Sequence, residues 1–166
     1  MNNLKICREK VEEVMRLFAQ RLRGALSDTA VPEEACSEGK KLPLMAAAGG
    51  GPYYFLRTLA QRGRATVSEI AAELGVTLAA VTVLTNKLVA SGWVSRWRDE
   101  RDRRVVWLGL TPAGEGILYR IQAVRDQVFT RYFGCLSSAE IDALTDIMKK
   151  VLAGLQEEAS DRGGEG

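Results

Sequence analysis

The run Asp102-Arg103-Arg104-Val105-Val106-Trp107-Leu108-Gly109-Leu110-Thr111 limits the possible folds of this chain more than any other stretch. Two adjacent arginines on a short turn lead into a strand of alternating character. Upstream, Val94 to Trp97 reads as a second strand, so Arg98 to Arg104 forms the charged tip of a hairpin. Thr111-Pro112 then supplies a helix cap and a first-turn proline. A two-stranded hairpin cannot stand alone in water. The residues before it must supply what it packs on.

Those residues carry two helix starts and two helix stops. Thr66-Val67-Ser68-Glu69 is a capping box, in which Thr66 and Glu69 each satisfy a free backbone N–H. The short helix it opens ends at Gly75. Thr77 caps a second helix, which runs through Val81, Leu84 and Leu88 to Gly92, a natural residue just past a helix end. A small residue, Ala71, stands where the helices cross. Gly75 provides the positive φ that lets them meet near right angles. Ile70, Leu74 and Val76 fill the space between.

This is helix-turn-helix spacing, and the second helix of such a pair enters the DNA major groove. Thr77, Ala79, Ala80, Thr82, Thr85, Asn86 and Lys87 are the candidate readers, on the side away from Val81, Leu84 and Leu88. Asn86 can pair with adenine, and Thr or Ala methyls can meet thymine methyls. This helix has no arginine for a bidentate guanine contact. An ordinary amphipathic helix pair often mimics the spacing, so the hairpin tip decides the reading. Arg96, Arg98, Arg101, Arg103 and Arg104 fall within nine residues, interleaved with Asp99, Glu100 and Asp102. Alone, such a turn reads as a solvated, self-paired loop. Directly after a helix-turn-helix it reads as a wing whose arginines enter a minor groove. A carboxylate beside an arginine can fix the planar fork in one orientation.

Charge agrees with this reading. The net formal charge of +2 hides a gradient: Tyr53 to Leu110 holds nine Lys/Arg against five Asp/Glu, and the remainder 14 against 16. A basic middle between mildly acidic ends suggests a local polyanion footprint.

The flanks are helical. Residues 4 to 26 place Val11, Val14, Met15, Phe18, Leu22 and Leu26 at three- and four-residue steps. Residues 27 to 51 break that pattern with Pro32, Pro43 and Gly49-Gly50-Gly51, which marks a flexible insertion with a short helix near Leu42 to Ala48. A helix follows from Pro52 to about Gln61. After Pro112 a long apolar-faced helix runs past Phe133, and a second capping box, Ser137 to Glu140, opens the last one. The expected fold is mainly α with a small β-wing. Its parts are an N-terminal dimerisation helix (1–26), the insertion (27–51), a winged helix-turn-helix lobe (52–112), C-terminal dimerisation helices (113–158) and a frayed tail (159–166). The terminal helices carry apolar faces too wide for the central lobe to cover. A two-fold dimer buries them; packing within one chain is the alternative.

The run from Thr66 to Gly114 resembles the winged helix-turn-helix of the MarR family of bacterial transcription regulators. The resemblance rests on Ser68-Glu69-Ile70-Ala71, Leu74-Gly75-Val76, Leu88 to Val94, Asp99, Asp102-Arg103-Arg104, Leu108, Leu110-Thr111 and Gly114. It implies an obligate homodimer of interlocked terminal helices on a pseudo-palindromic double-stranded DNA operator, with repression relieved by a small ligand or by oxidation. It also nominates Arg103 and Arg104 as DNA contacts, Arg101 as a further tip contact, and Asp102 with Asp99 as orienters. The insertion at Ser27 to Gly51 departs from the pattern, in a region where family ligands often bind.

The remaining residues bound the chemistry. With no histidine, His-based metal sites and His-dependent catalysis are excluded, and because zinc-sensing members of the resembled family rely on histidine, zinc sensing is not expected. No nucleophile motif or Gly-rich phosphate loop points to an enzyme, and no cofactor or metal is expected. Cys7, Cys36 and Cys135 show no CxxC spacing. The family resemblance makes Cys7 and Cys135 a candidate redox pair, while the plainer reading is that they fill apolar space. Tyr53, Tyr54, Phe55, Trp93 and Trp97 can line a pocket for a small aromatic effector. The charged N-terminus is no signal peptide and no apolar run reaches the ~20 residues of a membrane span, so a cytoplasmic location is expected. The rival is a winged helix that binds a protein partner and no DNA.

Overall fold

The computed structural model describes residues 2–27 and 51–162. The element order is α1 (Asn2–Ser27), α2 (Gly51–Arg62), α3 (Val67–Leu74), α4 (Leu78–Ala90), β1 (Val94–Arg98), β2 (Val106–Leu110), α5 (Pro112–Phe133) and α6 (Ser138–Arg162). The expected short helix at 42–48 and Cys36 lie outside the described residues. The tail expected to fray from 159 is helical as far as Arg162. No single helix among the described residues is long and apolar enough to cross a membrane.

The chain forms two compact units, Met1–Val128 and Phe129–Gly166. The first holds a core drawn from α1 to α5. Leu22 and Leu26, Phe55, Leu56 and Leu59, Ile70, Val81 and Leu88, Trp93, Leu108, Ile117 and Ile121 are all buried in it. The apolar stripe of α1 is covered only at its C-terminal end. Leu22 and Leu26 are buried, Phe18 is partly covered, and Val11, Val14 and Met15 lie exposed.

In the second unit Ser137 and Glu140 close a capping box. The Glu140 carboxylate accepts the Ser137 N–H at 2.8 Å, and the Ser137 hydroxyl accepts the Glu140 N–H at 3.4 Å. The helix they open bears Ile147, Met148, Val151, Leu152 and Leu155, each more than half exposed. Five such residues recurring at helical steps form a row, not scattered exposure.

The hairpin is antiparallel, with Val94 opposite Leu110, Arg96 opposite Leu108 and Arg98 opposite Val106. A third segment joins it. Ala65 exchanges both backbone hydrogen bonds with Leu108, at 3.1 and 2.9 Å. The wing is thereby tied to the loop between α2 and α3.

The hairpin closes onto α5 at a tight crossing. Thr111 donates its hydroxyl to the Gly92 carbonyl at 2.6 Å, and the Thr111 hydroxyl oxygen accepts the Gly114 N–H at 3.0 Å. Gly114 packs on the Trp93 carbonyl so closely that an added Cβ would overlap it. Alanine in an open helix position usually stabilises relative to glycine. Here the clash reverses the sign. Gly114→Ala should destabilise the protein by about 2 kcal/mol, a loss of several degrees in Tm. Gly116→Ala, two residues on with nothing near its Cβ, should leave Tm unchanged or raise it. Thermal melts of the two variants check the contrast; equal effects would refute the crossing.

Candidate nucleic-acid interface

The helix-turn-helix forms as its caps dictate. The Thr66 N–H donates to Glu69 at 2.7 Å, and the Glu69 N–H donates to the Thr66 hydroxyl at 3.3 Å. The Thr66 N–H, and then the Thr66 hydroxyl donating to the same carboxylate at 2.9 Å, hold the Glu69 carboxyl below its ordinary pKa. Gly75 adopts φ 63°, and its N–H reaches the Ala71 and Ala72 carbonyls. The chain can then turn by 117° between α3 and α4. α3 is also braced against α2, because Glu73 accepts from the buried Thr58 hydroxyl at 2.9 Å and from Arg62 at 2.6 Å.

Val81, Thr85 and Leu88 form the buried face of α4. Ala79, Thr82, Asn86 and Lys87 are exposed, as expected of readers. Thr77 is exposed too, but its hydroxyl caps α4 by accepting the Ala80 N–H at 3.3 Å. Ala80 is exposed on the flank. It lines an apolar cleft of about 340 Å³ with Gly51, Tyr54, Leu74, Val76, Val81 and Leu84.

Thr85 corrects the sequence reading. It is buried, and its hydroxyl donates to the Val81 carbonyl at 2.8 Å. Bonding back to the preceding turn satisfies the hydroxyl, so threonine can sit in the core at that position. Val83 corrects it in the other direction. It is not among the candidate readers, yet it is 55% exposed, four residues after Ala79 and three before Asn86. Its place on the wheel, opposite Val81 and Leu88, was the available signal.

The wing tip is built by its aspartates, in a different way from that expected. Asp99 accepts the backbone N–H groups of Arg101 at 2.8 Å and Asp102 at 3.1 Å on one oxygen, and the Trp107 indole N–H at 2.8 Å on the other. Asp102 accepts the Arg104 N–H at 3.0 Å. Both carboxylates therefore organise the turn's backbone and leave the guanidinium forks alone. Arg101, Arg103 and Arg104 are exposed. Among the described residues, no ion pair involves them, Arg96 or Arg98.

The Trp107 N–H, then the Asp102 and Arg101 N–H groups, hold the Asp99 carboxyl below its ordinary pKa. A depressed carboxyl contributes at every pH above the usual aspartate range and loses its bonds only as pH falls below it. Trp107 was read from sequence only as a strand residue. It lies beneath Arg64, whose guanidinium stacks 4.3 Å from the ring centroid. The tryptophan thus links the wing tip to the loop that carries Ala65.

Of the five aromatic residues expected to line an effector pocket, Tyr53, Phe55 and Trp93 are core residues, Tyr54 lines the cleft beside α4, and Trp97 packs over Gly109. Cys7 and Cys135 are both exposed, so neither fills apolar space. Among the described residues, no three His, Cys, Asp or Glu side chains cluster as metal ligands would.

Comparison with known proteins bears on this arrangement. The pattern of the MarR family matches residues 53–106. The uncharacterized HTH-type transcriptional regulator YpoP of Bacillus subtilis (strain 168) is 31% identical over 99 residues, which span 60% of this chain and 70% of that protein. Its uncharacterized HTH-type counterpart YkoM, from the same strain, is 30% identical over 152 residues, 90% of this chain and 93% of that one. The fold is shared with a mutant MarR from Escherichia coli solved with operator DNA, at a TM-score of 0.65, 23% identity, and coverage of 91% and 96%.

Trp107→Phe keeps a ring beneath Arg64 and removes the donor to Asp99. It should weaken binding to duplex DNA by about three- to tenfold with little change in Tm. The double variant Trp107→Phe/Asp99→Asn should bind no worse than Asp99→Asn alone, because the two side chains act through one bond. Additive losses in a binding titration would sink the clamp.

Proposed function

The chain belongs to the MarR family of transcriptional regulators, and from that premise we propose that it is a sequence-specific, homodimeric repressor that releases its operator when a small ligand binds. The observation that carries this reading is the wing. Five arginines, free of ion pairs among the described residues, stand on the hairpin, three of them on a tip whose backbone is fixed by two aspartates. A charged loop that served solubility would gain by pairing its own charges. A docking module for a neutral protein partner has no use for five unpaired guanidinium groups.

Each part then has a role. α4 enters the major groove, with Ala79, Thr82, Asn86 and Lys87 toward the bases. Arg101, Arg103 and Arg104 reach the minor groove or its phosphates, with Asp99 and Asp102 holding the turn. The bare apolar rows of α1 and α6 support burial between two copies, which places two α4 helices on half-sites roughly 34 Å apart. An aromatic ligand in the cleft lined by Tyr54, Leu74, Val76 and Leu84 presses on the flank of α4 and alters its presentation. The protein works in the cytoplasm, where its operator is. The exposure of Cys7 and Cys135 favours one second reading, release by oxidation. Release of DNA by peroxide that Cys7→Ser abolishes would establish it.

The first test is fluorescence anisotropy with duplex DNA from upstream of the protein's own gene, against a shuffled duplex of equal length. Preference for the former is expected. Affinity should fall with salt at a log–log slope of about −0.9 per phosphate neutralised. Arg103→Ala should weaken binding to every duplex and flatten that slope by about one unit without lowering Tm. An unchanged slope would remove Arg103 from the interface. Absence of binding to either duplex would favour the protein-interaction module.

A further inference from the structure

α4 is unusually poor in groups that read guanine or cytosine. Its thirteen residues, LAAVTVLTNKLVA, include no arginine, glutamine, aspartate or glutamate. Guanine is read chiefly by arginine or lysine, and cytosine by a carboxylate. Lys87 is the single cation. It stands at the edge of the outward face, to one side of the row that runs through Ala79, Val83, Asn86 and Ala90.

The outward face can be specified further. Ala79, Val83, Asn86 and Ala90 recur at steps of four, three and four, all exposed, opposite the buried Val81, Thr85 and Leu88. Thr82 lies beside them, but its hydroxyl proton is committed to the Leu78 carbonyl at 2.8 Å. It therefore offers a base its methyl group and no donor. Asn86 is the one amide on this face, able to donate to and accept from adenine together. The rest of the row, Ala79, Val83 and Ala90, presents only methyl groups.

A valine 55% exposed at the centre of that face offers an apolar contact to whatever meets it. Of the four bases, only thymine projects an apolar group, its C5-methyl, into the major groove. The unpaired arginines of the adjoining wing make a polyanion the matching occupant, rather than an apolar protein partner. From these observations we infer that α4 reads an A·T-based half-site through thymine C5-methyl groups, with Val83 as the central specificity residue and Asn86 paired to adenine. This inference rests on the DNA-binding reading above and narrows it to a class of operator.

The full-length protein is offered a random duplex library, and the best-bound duplex is resynthesised with deoxyuridine for thymidine. Uracil lacks only the C5-methyl. Phosphates and minor-groove edges are unchanged, so wing contacts persist. The selected half-sites should be A·T-based, and the uridine duplex should bind about fourfold more weakly per contacted methyl. Val83→Ala should weaken binding to the thymidine duplex and shrink the thymidine-to-uridine ratio, with Tm unchanged because the side chain is exposed. Half-sites based on G·C, or equal binding of the two duplexes, would overturn the inference while leaving DNA binding intact. An undiminished ratio in Val83→Ala would assign the effect to DNA shape and equally overturn it. Absence of any enriched duplex would overturn the DNA-binding reading itself.

Discussion

The parts of this protein proposed to touch DNA hang from one small node, Gly92-Trp93 against Thr111 and Gly114. The Trp93 N–H closes the end of α4 by donating to the Leu88 carbonyl at 3.0 Å. The Trp93 carbonyl accepts the Thr111 N–H at 3.1 Å, and the Gly92 carbonyl accepts the Thr111 hydroxyl at 2.6 Å. The same hydroxyl oxygen caps α5 through the Gly114 N–H. The end of α4, the base of the wing and the start of α5 are thus fixed to one another within a few residues. The Trp93 ring fills the centre, fully buried, and its indole N–H has no partner among the described residues. An orphaned buried donor costs about 1–3 kcal/mol. The burial of so large a ring offsets that cost, and no polar neighbour is needed to fix the ring where sterics already do.

From this node the hairpin reaches outward carrying like charges, and that creates the second constraint. Five guanidinium groups on one hairpin repel one another. The obvious remedy, pairing each with an acid, would spend the charge that a polyanion requires. Asp99 and Asp102 instead receive backbone N–H groups and the Trp107 indole. Their negative charge stays near the arginines and lowers the repulsion, while the forks remain open. A backbone held in this way needs little ordering when DNA arrives, so less affinity is lost to loop entropy.

What was legible in the sequence and what was not divides along a physical line. Caps and turns are local, and Thr66, Glu69, Gly75, Thr77, Gly92 and Thr111 act where the sequence places them. The hairpin strands were found within one residue at their ends, because alternation and turn chemistry are local too. Contacts across the fold were not legible. The Ala65 bridge to Leu108 and the reach of Trp107 to Asp99 depend on tertiary placement. Residue type misled where backbone chemistry overrode it. Thr85 is polar by type and is core because its hydroxyl bonds to the previous turn, whereas Val83 is apolar by type and is bare. The aspartates were assigned to the right place with the wrong partner, since sequence shows charges beside each other but not which way a side chain turns.

The proposed reading face, built mostly of methyl groups, has a consequence for assembly. One asparagine and a few methyls discriminate weakly, because each apolar contact contributes only a small factor and each mismatch costs little. A single lobe would then bind many sequences with modest preference. Joining two lobes multiplies their preferences, since the second half-site is engaged at high effective concentration. The apolar row of α1 that runs from covered at Leu26 to bare at Val11 is what such a join requires: an end anchored in its own lobe and an end free for a second copy. Weak readout on α4 and uncovered helices at the termini are, on this argument, two sides of one design, in which specificity resides in the proposed dimer rather than in the single lobe.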